Sequence, residues 1–340
     1  MPKRKRFSDL YLILEENRKM EERFMASDVI LFGEPMALFA AQDEGNLSET
    51  AVFTRMLAGA EVNVAIGLTR LGYRVTYGTK LGIDPFGDYI EKKLQQEGIV
   101  TSITRDPKHL TGLQWKNNVT KGDPDTHYRR SKTAASYLSE EDVDKFDFSG
   151  AKLLHITGIF PALSLHTRNA VFRMIEKARE YGMFVSFDPN LRECLWESRS
   201  VMIRTINHIA SKVDLVLPGI GEGKILMGSD KPEEIAEFYR NLGAKTVIVK
   251  LGPEGAYGKS DTEEGYFKGY PVEKVVDTVG AGDGFAAGVL SAVLEGKGVA
   301  EMADRGNAIG AMQVMVRSDN DGLPTREELD YFRQNGKRKE

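Results

Sequence analysis

Residues 275–290 read VVDTVGAGDGFAAGVL, three glycines set around one carboxylate and followed at once by an apolar, alanine-rich run. Gly280 and Gly282 let the backbone turn tightly and approach a ligand with no Cβ in the way. The run FAAGVLSAVLEG reads as a helix, so the N–H groups of the turn fall at a helix N-terminus. Such a terminus attracts anions through its unpaired donors and its partial positive charge. Phosphate is the obvious guest. Asp283 suits another task, because a carboxylate in the first turn would repel a bound phosphate. It is placed to take a proton from a hydroxyl that attacks that phosphate, which is general-base catalysis of phosphoryl transfer. Spacing alone also admits an aspartate that only complements the helix dipole. GAGDGF lacks the Lys and Ser/Thr of a Walker A loop, and no acidic strand follows it as in a dinucleotide fold, so neither of those glycine motifs applies.

Upstream, apolar runs alternate with helical patterns. Strands are expected at Val29–Phe32, Val75–Gly78, KLLHITG, MFVSFDP, VDLVLP and KTVIVKLG; helices at 60–71, 86–97, 165–181, 201–210 and 232–241. This rhythm predicts parallel strands with crossover helices, an α/β chain whose core is a three-layer sheet sandwich. Two pieces break it. MALFAAQDEG with AVFTRMLAG, and TGLQWKNNVTKGDPDTHYRRSK, alternate in shorter steps and carry turn residues. They are read as a small β-sheet lid, near 36–57 and 111–131, over the carboxyl ends of the main sheet where open α/β sheets bind ligands. Ordinary edge hairpins are the other reading.

A chain of 340 residues with 41% hydrophobic content holds one large domain, here 26–335, and a charged extension at 1–25 outside the core. KRKR in that extension reads as a solvated tail, with Met25 a candidate natural start. A net charge of -4 argues against a surface built for nucleic acid. No apolar run is long enough for a membrane helix. A single cysteine, Cys194, forms no internal disulfide and fits a reducing cytoplasm. The five histidines are scattered, with no pair at helical spacing, so no histidine metal site is expected.

DTVGAGDGFAAGVL resembles the C-terminal signature D-T-x-G-A-G-D-x-F of the ribokinase-like (phosphofructokinase-B type) carbohydrate kinases. AGAEVNVAIGLTRLG at 58–72 is similar to the glycine-rich N-terminal motif of that family, and KLGIDPFGDYI at 80–90 to its G-x-D-x-x-G element. With VIVKLGPEGAYG and RGNAIGAMQV, the resemblance covers roughly residues 28–330. It implies a ribokinase-like fold, ATP as phosphate donor and Mg²⁺ bridging the phosphates. It also implies Asp283 as catalytic base, with the backbone of Gly280, Ala281 and Gly282 as the anion hole. Lys250, Gly252, Gly255 and Asn307 would then serve the nucleotide. Glu222 would organise Mg²⁺-bound water, although Gly219 replaces the asparagine of the family's N-x-x-E.

For the acceptor, Gly59 gives backbone access to a hydroxyl-rich molecule, and Asn63, one turn on, can bond hydroxyls. HYRRS places Tyr128 and Arg130 on one face of a lid strand, and DPNLRECLW places Arg192 just after a core strand. Arginine suits a carboxylate, which a neutral pentose or nucleoside lacks. Arg129 and Arg130 are otherwise surface charges on a hairpin. GEPMALF, TGLQWK, the Tyr/Arg strand, DPNLRECLW and SDNDGLPTREEL together resemble the branch of the family that acts on 2-keto-3-deoxygluconate. That resemblance implies transfer to the 6-hydroxyl of this sugar acid. A kinase for fructose or ribose, and a non-catalytic sensor of sugar or nucleotide, are the alternatives. Met36, Leu38, Phe39 and Trp115 are read as an apolar lid surface, which predicts a homodimer formed through the lids. Sugar acid and ATP are the expected partners, with no nucleic acid and no membrane.

Overall fold

A computed structural model describes residues 27–119 and 124–338, so the extension at 1–25 lies outside the described residues. Among the described residues thirteen strands form two sheets. They are β1 (Val29–Phe32), β2 (Met36–Glu44), β3 (Phe53–Ala58), β4 (Val75–Gly82), β5 (Val100–Asp106), β6 (Gly112–Asn118), β7 (Thr126–Arg129), β8 (Leu153–Thr157), β9 (Phe184–Asp188), β10 (Leu215–Val216), β11 (Thr246–Lys250), β12 (Gly255–Lys259) and β13 (Glu264–Lys268). The larger sheet has nine strands in the order β13-β12-β11-β10-β9-β8-β1-β4-β5. Its pairings are parallel from β11 to β5, and the β12–β13 hairpin closes one edge antiparallel.

Parallel strands covered on both faces need apolar residues at every position. β1 shows the consequence: Ile30 and Phe32 join one buried cluster, while Val29 and Leu31 join the other. The first cluster packs helices Leu165–Glu180, Arg199–Ala210 and Pro232–Leu242 on one face. The second packs Ala60–Arg70, Pro85–Gln96, Ala281–Leu294, Val299–Gln313 and Arg326–Asn335 on the other. This is the expected three-layer α/β/α sandwich. Helices Ala281–Leu294 and Val299–Gln313 meet backbone to backbone: a Cβ on Gly288 would lie 2.5 Å from the carbonyl oxygen of Arg305.

The chain leaves β1 toward β4 and β5, then returns to place β8 on the other side of β1. Such a reversal opens a crevice at the carboxyl ends of the two strands, where ligands bind in open α/β sheets. Both lid segments lie at that end. They build a four-stranded sheet in the order β3-β2-β6-β7, with hairpins β2–β3 and β6–β7 joined by parallel pairing of β2 with β6.

The lid is less apolar outside than its composition predicts. Met36 and Leu38 are 4% and 1% exposed within the single chain. Phe39 stacks on Trp115 and meets the edge of Phe86, which belongs to the main body. The alternating pattern is spent on packing the lid against its own domain, so these four residues do not make the open surface that the sequence suggested.

Candidate active site

A cleft of about 490 Å³ lies between lid and sheet. Ten of the residues singled out from the sequence line it: Gly59, Asn63, Tyr128, Arg130, Arg192, Glu222, Lys250, Gly280, Gly282 and Asp283. Their elements converge for simple reasons. Lys250 ends β11, and Arg192 follows β9 by four residues. Gly59 caps the helix carrying Asn63 at φ 139°, where an added Cβ would lie 2.9 Å from the carbonyl of Glu34. A side chain there is excluded by both strain and space.

Asp283 is 8% exposed. Asn63 donates from Nδ2 to Asp283 Oδ2 at 2.8 Å, and Asn190 donates from Nδ2 to Oδ1 at 3.3 Å. Asn190 itself holds a left-handed backbone, φ 37°, which asparagine tolerates better than most residues. Burial pushes the Asp283 carboxyl up to about 7. The Asn63 hydrogen bond pulls it back, the Asp188 charge pushes it further, and Arg192 and Lys250 oppose that push. A carboxylate balanced near neutrality is suited to accept a proton there.

Gly280 caps the Asp283 helix in the left-handed region, φ 78°, with the carbonyl of Asp319 only 2.3 Å from where its Cβ would be. The Ala281 N–H donates to Thr278 O at 3.3 Å, and the Gly284 N–H to Gly280 O at 2.8 Å. The N–H groups of Gly282 and Asp283 have no acceptor among the described residues. The nearest atom to a Cβ on Gly282 would be Lys250 Nζ, at 3.9 Å. An ammonium thus stands close to the helix start that carries these open donors, a combination that fits phosphate oxygens. Of the three residues expected to form it, Gly282 offers a free donor and Ala281 has its own engaged.

Lys250 Nζ donates to both oxygens of buried Asp188, at 2.8 and 2.7 Å. Burial pushes Asp188 up to about 6, and Lys250 is held above the usual lysine range because Asp188 and Glu222 outweigh its burial. The two short contacts to both carboxylate oxygens have the geometry of an ion pair. Glu222 accepts the N–H of Leu191 at 2.9 Å and of Gly219 at 2.7 Å, which fixes the Asn190–Arg192 loop to the start of helix Ile220–Leu226. Among the described residues no group of three or more His, Cys, Asp or Glu side chains gathers as a metal cage. Spare lone pairs on Glu222 suit a bridging water, which fits Mg²⁺ carried mainly by phosphates.

The remaining nucleotide candidates lie outside the cleft lining. Gly255 is demanded by the fold, since at φ 107° its Cβ would lie 2.1 Å from Phe267 O. Gly252, φ 61°, opens the turn between β11 and β12. Asn307 donates from Nδ2 to Phe267 O and Lys268 O, both at 3.1 Å, tying its helix to β13.

At the acceptor end, Arg130 lies one residue past β7 and is not a free cation. Its Nε donates to Glu34 Oε2 at 2.9 Å, and Thr133 donates to Glu34 Oε1 at 2.6 Å. Arg192 is exposed to the cleft and has no carboxylate partner among the described residues; its Nη1 reaches only Leu191 O, at 2.9 Å. Glu61 also lines the cleft, bonded by Thr157 and pushed up to about 7, chiefly by burial. Sequence reasoning passed over Glu34, Glu61, Asn190, Asp188 and Asp319, although each sits inside a motif it had picked out. Position inside those motifs was the available signal.

A mostly parallel α/β sheet, a lid over its switch point, and open N–H donors near an ammonium and a buried carboxylate fit a phosphotransferase acting on small hydroxylated molecules. A family model described as pfkB family carbohydrate kinase matches residues 26–326, and the chain belongs to that family. It is 46% identical over 310 residues to a 2-dehydro-3-deoxygluconokinase of Bacillus subtilis (strain 168), covering 91% of this chain and 96% of that protein. Among solved structures, a PfkB protein from Polaromonas sp. JS666 matches at TM-score 0.83 and 46% identity, covering 90% of this chain and 99% of that one. A putative Ribokinase II from E. coli in complex with ATP and Mg²⁺ matches at TM-score 0.84 and 27% identity, covering 91% and 99%.

Proposed function

We propose that this carbohydrate kinase phosphorylates the 6-hydroxyl of 2-keto-3-deoxygluconate, giving 2-keto-3-deoxy-6-phosphogluconate. The observation that carries the choice of acceptor is Arg192, a cation in the cleft with no acidic partner among the described residues. An unpaired guanidinium beside the reactive carboxylate calls for an anionic ligand, and the sugar acid supplies one. The 46% identical Bacillus subtilis relative, named for the same sugar acid, agrees.

Asp283 would take the proton of the acceptor hydroxyl, held in place by Asn63 and Asn190. Free N–H groups at the start of its helix would receive the oxygens of the transferring group, with Lys250 adjacent. ATP bound with Mg²⁺ supplies the phosphoryl group and neutralises charge on its oxygens. Glu222 would contact that ion through water. Lid closure would keep water from competing with the hydroxyl.

A neutral sugar remains the second reading because Glu34 neutralises Arg130, removing one of the two cations. A coupled assay of ATP consumption across the keto-deoxy acid, its galacto isomer, fructose and ribose decides between them. The proposal expects the sugar acid to be turned over best; preferential turnover of fructose or ribose overturns it.

A further inference from the structure

Lys116 sits on lid strand β6, two residues beyond Gln114, which lines the cleft. It is 6% exposed, and its Nζ donates to Asp277 Oδ2 at 2.6 Å and to Asp319 Oδ1 at 3.1 Å. Those carboxylates are themselves 7% and 4% exposed. Each shapes the glycine turn. Asp277 Oδ1 accepts the N–H of Val279 at 3.0 Å. The carbonyl of Asp319 occupies the space that forbids any Cβ on Gly280. Two buried carboxylates around one point repel strongly unless a cation stands between them. Here that cation belongs to the lid and cannot diffuse away.

We propose that Lys116 is a positioning residue for phosphoryl transfer: its tethered ammonium clasps Asp277 and Asp319 and so holds the lid strand and the Gly280–Gly282 turn as one piece. The assignment of that turn to phosphate is taken from the function proposed above. The lid is then fixed at this corner, and closure comes from its other strands. The chain also carries its own cation, so added monovalent ions leave wild-type turnover unchanged.

The test uses full-length Lys116→Ala and Lys116→Met, with thermal unfolding, kcat, and KM for acceptor and ATP. Both variants are expected to fold and to lose about 10- to 100-fold in kcat, as a slightly misplaced turn would. KM for the acceptor should stay within about 3-fold. Ammonium, methylammonium or potassium ions should restore part of the rate in Lys116→Ala, where truncation leaves room between the carboxylates. They should not restore it in Lys116→Met, whose side chain fills that room, or change the wild type. A structural role alone would not produce this split.

Wild-type kcat in either variant overturns the proposal, as does a folded, slow Lys116→Ala that none of the three ions rescues. If Lys116→Met fails to fold, the double variant Lys116→Met/Asp277→Asn removes the charge conflict. It should fold and remain slow, and wild-type kcat there overturns the proposal too. Turnover is followed with whichever acceptor the wild type phosphorylates, so an error about the sugar leaves this test intact. An error about the anion cradle shows separately, as unchanged kcat and KM for ATP in Gly282→Ala.

Discussion

Asn63 and Asp283 lie 220 residues apart in sequence and 2.8 Å apart in space, joined by a buried hydrogen bond that fixes one oxygen of the carboxylate. The N-terminal motif thereby orients the C-terminal one. Asp283→Asn keeps the shape of the site and removes the proposed proton acceptor. Turnover should fall by roughly 10²- to 10⁴-fold with ATP binding nearly intact. Calorimetric ATP titration beside steady-state kinetics checks this, and undiminished turnover would remove Asp283 from its role.

The same carboxyl sets a pH dependence. Burial raises Asp283 to about 7, and the ionised form is the one that accepts a proton. Activity should therefore climb as pH rises through about 7 and then level off. Stability should run the other way. The folded state binds this proton more tightly than the unfolded chain, so the group contributes stability at low pH that is lost as pH rises toward about 7. Asp283→Asn should accordingly melt higher than wild type at alkaline pH, a gain visible by scanning calorimetry. An equal or lower melting temperature would contradict the burial assigned to this side chain.

The two arginines of the acceptor end should separate cleanly. Arg192 has no acidic partner among the described residues, so Arg192→Gln should leave the melting temperature almost unchanged. It should raise KM for the sugar acid about 10- to 100-fold, the loss of one or two charge-assisted hydrogen bonds. Arg130→Ala strands Glu34, whose side chain is 1% exposed, without its cation. That change should destabilise the fold by about 3–5 kcal/mol. Denaturant unfolding and substrate kinetics on both variants distinguish the roles.

Glycines 280 and 282 differ in kind. Alanine at 280 meets both a positive φ and the Asp319 carbonyl, so Gly280→Ala should unfold more easily and lose activity with it. Alanine at 282 meets nothing nearer than Lys250 Nζ at 3.9 Å, so Gly282→Ala should fold normally. Its methyl group would instead crowd the proposed phosphate cradle and lower kcat/KM for ATP. Normal nucleotide kinetics in Gly282→Ala would place the anion elsewhere.

Among the described residues the lid sheet still ends in two unpaired edges, β3 and β7. Exposed strand edges invite pairing, so the chain should associate as a dimer at micromolar concentration even though its apolar lid residues are largely covered. Light scattering that shows only monomer would count against this.

Much of the sheet was legible because doubly covered strands leave continuous apolar runs, as at Val29–Phe32 and Thr246–Lys250. β5 was not: VTSITRD is an edge strand with alternating exposed positions and no apolar run to mark it. β10 shrank to two residues because a run such as VDLVLP announces burial and says little about ladder length. At the site, glycines and arginines were readable because their chemistry is distinctive at a given spacing. Glu34, Asp188 and Lys116 were not. Their partners, Arg130, Lys250 and the Asp277–Asp319 pair, are brought to them only by the folded chain.

The contact between Gly288 and Arg305 has a mechanical meaning. Where Gly288 meets Arg305 the two helices sit main chain on main chain with no side chain from position 288 between them, so neither slides or rolls past that point without a clash. Asp283 rides on one of these rails, and its aim is therefore inherited from a joint about one and a half turns away. A single methyl group at position 288 would act as a wedge, detuning the chemistry from a place no substrate ever touches.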